Sequence, residues 1–226
     1  VDIFRINLSH TTVEDFVSEK GQHIEILDLV EYGKSLFIDN EIQVSESDEQ
    51  LYSSTMVDSS ARLHSVNKNV AVIGGGDGGV VRECISRGYG HIDWFELDKE
   101  VVNACEKHLS ALQSQNYMSV NRIWGDAFES IKKVEDDKYD KIYVDLNDDE
   151  HCINLAINNM GNLKRILKPD GVITTQVGSQ DRAPKQVNRW LDIFSENFEE
   201  VENRGKFIPS FDCSWNFVSV KGMKYE

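Results

Sequence analysis

Residues 74 to 79 read Gly-Gly-Gly-Asp-Gly-Gly, a run in which one carboxylate stands among five glycines. Glycine has no Cβ and tolerates positive φ, so such a turn between a strand and a helix lets the backbone approach a ligand closely. Gly74, Gly76 and Gly79 keep a G-x-G-x-x-G spacing, and Glu96 closes the next apolar strand about 20 positions on, placed to accept hydrogen bonds from ribose hydroxyls. The following strand, roughly Val120 to Trp124, ends at Gly125-Asp126-Ala127, where a carboxylate could receive an adenine amino group. Three successive strand ends then line one crevice.

Asp77 changes the ligand class. A carboxylate inside a glycine turn repels the phosphates that such turns usually cradle, which argues against NAD or ATP. It favours a ligand carrying positive charge, and a sulfonium nucleoside fits. A fourth strand ends at Asp145, followed by Leu146-Asn147-Asp148-Asp149-Glu150. An acidic run is most often a solvated loop, but Asp145 sits at a strand's carboxyl end, where open α/β sheets bind ligands. Asp148 reads equally well as site or loop.

The elements that must position these groups follow from periodicity. Ile24 and Ile26, Leu36 to Ile38, and Ile42 with Val44 alternate in the manner of short hairpin strands, as do Phe4, Ile6 and Leu8; Gly33 and Asp39-Asn40 punctuate them. From Val70 short apolar strands alternate with helical periods, the pattern of a parallel sheet with crossover helices. Strands are expected at Val70–Ile73, His91–Phe95, Ile142–Val144, Val172–Val177 and Phe217–Val220. Val80–Ser86 is expected to be helical and capped by Gly88, Asp98 to cap the helix carrying Val101, Val102, Cys105 and Leu109, and Pro184 to start another helix; Leu163, Ile166 and Leu167 close one more. The expected architecture is a Rossmann-like α/β domain over residues 61–226, preceded by a small antiparallel β domain over residues 1–60.

The 226 residues suffice for one main domain with an appendage, and the net charge of −15 argues against a nucleic-acid surface. No apolar run approaches the roughly 18 residues of a membrane span. Nothing in Val1 to Ile6 resembles a secretory signal, so a soluble cytoplasmic protein is expected. Cys84, Cys105, Cys152 and Cys213 are widely separated and without histidines at ligand spacing, which reads as reduced thiols and no metal site.

The sequence resembles the polyamine aminopropyltransferases, the spermidine and spermine synthases, through most of its length. Ile73-Gly74-Gly75-Gly76-Asp77-Gly78-Gly79, followed by Arg82-Glu83, is similar to the family's I-G-G-G-D-G-G-x-x-R-E. Glu96-Leu97-Asp98, Gly125-Asp126-Ala127, Ile208-Pro209-Ser210-Phe211 and Asp48-Glu49-Gln50-Leu51-Tyr52 are similar to its E-I-D, G-D-[GA], I-P-[ST]-Y and D-E-F-x-Y, and Gln22 stands where the family has a strand Gln. The resemblance implies a methyltransferase-type sheet with helices on both faces and a homodimer. It implies decarboxylated S-adenosylmethionine as co-substrate with no prosthetic group, a cationic polyamine as acceptor with putrescine the first choice, and methylthioadenosine as product. It further implies that Gln22, Gly74, Gly75, Gly76, Glu96, Asp126 and Ala127 hold the nucleoside. Asp77, Tyr52 and Asp148 would contact the amine, and Asp145 would accept the proton.

The chain departs from the family at several positions. Asp149 replaces a loop proline, Ser53 a His or Gln, Phe211 a tyrosine, and Asn216 a glycine. Alternatives therefore stay open: a spermine or thermospermine synthase, a methyltransferase using intact S-adenosylmethionine, and a non-catalytic homologue that binds nucleoside or polyamine.

Overall fold

The computed structural model describes residues 9–63, 66, 68–109, 120–147 and 150–224. Two sheets organise them. The first is an antiparallel meander of β1 (His10–Val17), β2 (His23–Leu29), β3 (Gly33–Ile38) and β4 (Glu41–Ser45) in sequential order. Asp39 and Asn40, both at positive φ, make the β3–β4 turn, as short polar side chains allow. The hairpin strands expected around Ile24, Leu36 and Val44 are therefore present. The segment carrying Phe4, Ile6 and Leu8 lies outside the described residues.

The second sheet has seven strands: β5 (Asn69–Gly74), β6 (His91–Glu96), β7 (Val120–Trp124), β8 (Tyr139–Asp145), β9 (Leu167–Gly178), β10 (Phe198–Ile208) and β11 (Cys213–Met223). Their order is β10-β11-β9-β8-β5-β6-β7, with β11 antiparallel to both of its neighbours and the remaining pairings parallel. This is the methyltransferase-type arrangement. The chain leaves β5 for β6 on one side and returns for β8 on the other, so a crevice opens beyond the carboxyl ends of β5 and β8.

Seven α-helices among the described residues connect these strands: α1 (Glu49–Ala61), α2 (Gly79–Ser86), α3 (Lys99–His108), α4 (Ala127–Ile131), α5 (Glu150–Asn158), α6 (Met160–Ile166) and α7 (Pro184–Asn197). None is long and apolar enough to cross a membrane. Two large apolar clusters hold the layers together. One joins Ile24, Leu36 and Val44 of the small sheet to Met56, Val72 and Trp94. The other packs Ile73, Ile142 and Val218 against Leu163, Val187 and Phe194.

Local signals placed several ends as expected. Asp98 Oδ1 accepts the Glu100 N–H at 2.9 Å, Gly88 takes φ +69° after α2, and Pro184 opens α7. Leu167 begins β9 rather than ending a helix; α6 stops at Ile166. Helix α1 and strand β10 are among the elements that were not anticipated. Helix α1 lies before the expected division at residue 60, yet it packs on α2 and the seven-stranded sheet. Strand β10 is an edge strand rich in charge, and β11 supplies its pairing.

Candidate functional site

The glycine turn makes two close approaches. At the first, Gly75 N–H donates to the Asp145 carbonyl at 2.8 Å, stitching the end of β5 to the end of β8. Gly74 sits at φ +78°, and a Cβ there would lie 2.2 Å from that carbonyl oxygen, so neither the conformation nor the space admits another residue. At the second, a Cβ on Gly76 would meet Val101 Cγ1 at 2.9 Å and Glu96 Oε2 at 3.3 Å. The turn therefore lies against the acidic end of β6. Asp77 Oδ1 accepts the Gly79 N–H at 2.8 Å, which holds the carboxylate at the mouth of α2.

One cavity of about 230 Å³ opens over this turn, lined by Gln22, Gly74, Gly75, Gly76, Glu96, Asp126, Ala127 and Asp145. Every residue expected to hold a nucleoside thus reaches a single space. Glu96 is buried, its Oε1 accepting the Asp98 N–H at 2.8 Å, and burial pushes its carboxyl up to about 7. Asp126 Oδ1 caps α4 by accepting the Phe128 and Glu129 N–H groups at 2.8 and 3.2 Å. Its helix-capping role is real, and its second oxygen is not used in the cap. Gln22 enters from the turn before β2, where its N–H donates to Ser18 Oγ at 3.3 Å.

A smaller cavity of about 80 Å³ adjoins the first, sharing Gly75, Gly76 and Asp145 with it. Its wall combines Asp77 with Tyr52, Phe211 and Trp215. The Tyr52 and Phe211 rings meet edge-on with centroids 6.0 Å apart, and Phe211 meets Trp215 at 4.9 Å. Aromatic faces beside carboxylates suit an alkylammonium, whose charge is drawn to both. Tyr52 O–H donates to Asp145 Oδ1 at 2.7 Å. Burial, with the charges of Asp145 and Glu49, pushes Asp77 up to about 7. Asp145 is pushed up to about 6 by burial, opposed by the Tyr52 hydrogen bond and reinforced by the Glu96 charge. The cleft is thus charged against its own fold, and an entering cation relieves it.

Gln176 was not singled out in the sequence, where it follows Thr174 and Thr175 in a strand bounded by apolar residues. Its Nε2 donates to the Leu146 carbonyl at 2.6 Å, and its Oε1 accepts from Gly178 N–H and Trp215 Nε1, each at 3.0 Å. It therefore ties the segment after Asp145 to the aromatic wall. Asp48 was noted only as part of a motif. Its Oδ2 accepts the Ser210 N–H at 2.7 Å and its Oδ1 the Ser210 hydroxyl at 2.9 Å, anchoring the short 3-10 helix (Pro209–Phe211) that presents Phe211. The signal that could have found both is a polar side chain in a segment whose neighbours are buried.

The departures also have local explanations. Ser53 Oγ donates to Glu49 Oε1 at 2.8 Å beside Gly79, a space with no room for a longer side chain in this packing. Asn216 Nδ2 donates to the Gly178 carbonyl at 3.1 Å, where the β11–β9 register shifts. Asp148 and Asp149 lie outside the described residues.

Fold and site together define a class: a methyltransferase-type sheet whose strand ends carry carboxylates around a nucleoside-sized cavity and an aromatic, acidic annex. The chain belongs to the spermine/spermidine synthase family, with residues 49–226 matching the family model for the spermine/spermidine synthase domain. It is 32% identical over 210 residues to polyamine aminopropyltransferase 2 of Caldanaerobacter subterraneus subsp. tengcongensis, covering 90% of this chain and 70% of the relative. It is 30% identical over 214 residues to the polyamine aminopropyltransferase of Prochlorococcus marinus strain MIT 9215, covering 91% and 76%. Among solved structures, a spermidine synthase in complex with the transition state analogue AdoDATO superposes with a TM-score of 0.85 at 20% identity, covering 94% of this chain and 74% of that one. The spermidine synthase of Thermotoga maritima gives 0.82 at 21% identity, covering 94% and 73%.

Proposed function

We propose that the chain is a polyamine aminopropyltransferase that moves the aminopropyl group of decarboxylated S-adenosylmethionine to putrescine and releases methylthioadenosine. The observation that carries this reading is Asp145, whose carboxylate stands where the two cavities meet with Tyr52 on one oxygen. The amine nitrogen attacks the methylene carbon on the sulfonium, the C–S bond breaks, and its electron pair stays on sulfur as a neutral thioether. The leaving group needs no acid. The nucleophile does need help, because an alkylammonium with a pKa near about 10.4 costs roughly 4 to 5 kcal/mol to deprotonate at neutral pH.

In this reading Asp145 takes the proton, Asp77 and Tyr52 hold the amine with Asp148 beside them, and Glu96, Asp126, Ala127, Gln22 and the three glycines Gly74, Gly75 and Gly76 hold the donor. The carboxylates also repel the carboxyl group of intact S-adenosylmethionine, which selects the decarboxylated donor. The reading includes a cytoplasmic homodimer acting without nucleic acid or membrane, and a seam between a small β unit and a nucleoside-binding unit near residue 60. Offering both donors with putrescine tests the activity. Methylthioadenosine from the decarboxylated donor supports it, and S-adenosylhomocysteine from the intact one refutes it. A panel of longer amines assigns the acceptor.

Glu96→Gln is expected to weaken methylthioadenosine binding about tenfold, since an acceptor of two ribose hydroxyls becomes partly a donor. Equilibrium binding of the product checks this, and unchanged affinity removes Glu96 from the donor site.

The raised carboxylates set the acid side of the pH profile. Below about 6 to 7, Asp77 and Asp145 hold protons that the ammonium must displace, so kcat/KM falls as pH drops through that window. Above it, the ionised enzyme and the ammonium already carry the one proton of the transition state. A plateau is therefore expected from about pH 7 until the amine itself deprotonates near about 10. A profile that keeps rising with unit slope from 7 to 10 would mean the proton leaves for solvent before binding.

A further inference from the structure

Arg82 and Glu83 follow the glycine turn and line neither cavity, yet they form the middle of an ion-pair ladder running beneath the site. Arg82 reaches Glu49 on α1, with the two side chains 13% and 9% exposed. Its Nη2 donates to Glu83 Oε1 at 2.8 Å, Glu83 Oε2 takes Arg87 Nη1, and Arg87 Nη2 donates to Asp58 Oδ1 at 2.8 Å. Both ends of the ladder, Glu49 and Asp58, lie on α1, and its middle runs from Arg82 and Glu83 on α2 to Arg87 at the helix's C-terminal cap. Tyr52 sits on α1 between those ends, and Asp77 precedes α2 by two residues. A Cβ on Gly79 would be 2.2 Å from Glu49 Oε1 and 2.8 Å from Asp77 Oδ1. Two carboxylates thus flank one glycine.

We infer that Arg82 is a positioning residue for the acceptor amine: by offsetting much of the Glu49 charge, it keeps Asp77 available as the carboxylate that faces the acceptor cavity. The inference rests on the reading of Asp77 as the ammonium holder. Two carboxylates around one glycine in a low-dielectric corner share a proton unless a cation discharges one of them. A protonated Asp77 would hold no ammonium. Arginine suits the task because it stays charged and its fork serves Glu49 and Glu83 at once. The other groups facing Asp77 are Asp145 from β8, Glu96 from β6, Cys105 from α3 and, through Asp145, Tyr52. Each is acidic or neutral, so among the described residues the positive charge in this corner comes from Arg82. The Glu49 charge already pushes Asp77 upward with Arg82 in place.

The test is a carbon-13 carboxyl titration of Asp77, assigned with Asp77→Asn, in wild type, Arg82→Gln, Glu49→Gln and the double variant. Arg82→Gln is expected to raise the Asp77 midpoint by about one pH unit, Glu49→Gln to lower it, and the double variant to return it toward wild type. At pH 7 the KM for putrescine should rise about fivefold in Arg82→Gln with methylthioadenosine affinity unchanged, and Arg82→Lys should recover part of the loss. Midpoints unmoved in both single variants, or a double variant displaced as far as Arg82→Gln, would overturn the inference. So would an unaltered KM. The titration needs no turnover, so a wild type that releases no methylthioadenosine while the midpoints still move refutes the activity and leaves the charge coupling standing. Should Arg82→Gln not fold, Glu49→Gln alone decides, since its midpoint must fall.

Discussion

Asp145→Asn is expected to lower kcat about 10²–10⁴-fold while leaving methylthioadenosine binding nearly intact. The exchange is close to isosteric, and an amide oxygen can still accept the Tyr52 O–H that now reaches Asp145 Oδ1 at 2.7 Å. What is lost is the capacity to take a proton. The variant should fold at least as well as wild type, because it removes a charge whose ionisation burial already opposes and eases the repulsion on Asp77. A large fall in kcat with an unchanged melting temperature therefore locates the defect in the chemical step. The pH profile sharpens the assignment: without the base, the free amine must come from solution, so the plateau in kcat/KM gives way to a unit slope. Product-release assays across pH 6 to 9, paired with equilibrium binding of methylthioadenosine, check both parts. Equal losses in kcat and in product affinity would make Asp145 a binding residue instead.

The sequence made the strand-end half of this site readable and left much of the aromatic annex hidden, for a physical reason. Gly74 to Gly79, Glu96, Asp126 and Asp145 all sit at the carboxyl ends of consecutive parallel strands, where local pattern and position in the chain coincide. Asp98, Gly88 and Pro184 announce helix ends through chemistry confined to two or three residues. Helix α1 carries no such signal. Its buried face includes Ser53, Thr55, Ser59 and Ser60 beside Met56 and Val57, so a helix that is buried against polar neighbours shows almost no apolar stripe. Strand β10 is hidden for the opposite reason: as a solvent-facing edge it is charged or polar at most positions, and only its partner β11 shows the apolar run. Gln176 and Trp215 meet across β9 and β11, a pairing that no sequence spacing records. Arg82 and Glu83 were visible as motif letters, but Glu49, which pairs with Arg82, and Asp58, which pairs with Arg87, lie about one helix earlier in the chain.

Gly74→Ala is expected to destabilise the protein by about 2–4 kcal/mol and to abolish transfer, the largest effect for the smallest change in the site. Two contributions add. A non-glycine residue at φ +78° costs about 1–2 kcal/mol in backbone strain. The added Cβ would also lie 2.2 Å from the Asp145 carbonyl oxygen and 2.9 Å from Leu146 Cδ2, so β5 and β8 must part. That movement breaks the Gly75 N–H bond to Asp145 and displaces the Trp94 Nε1 bond to the Gly74 carbonyl, now 2.8 Å each, and leaves buried polar groups unsatisfied. Gly88→Ala separates the terms, because Gly88 shares the positive φ of +69° and has open space where its Cβ would go. It should cost only about 1 kcal/mol, a drop of about 2–4 °C in melting temperature for a chain of this size. Thermal melts of the two variants read the difference directly. If Gly74→Ala melts no lower than Gly88→Ala, the contact between the glycine turn and the Asp145 backbone does not hold the two strands together, and the turn's role reduces to conformation alone.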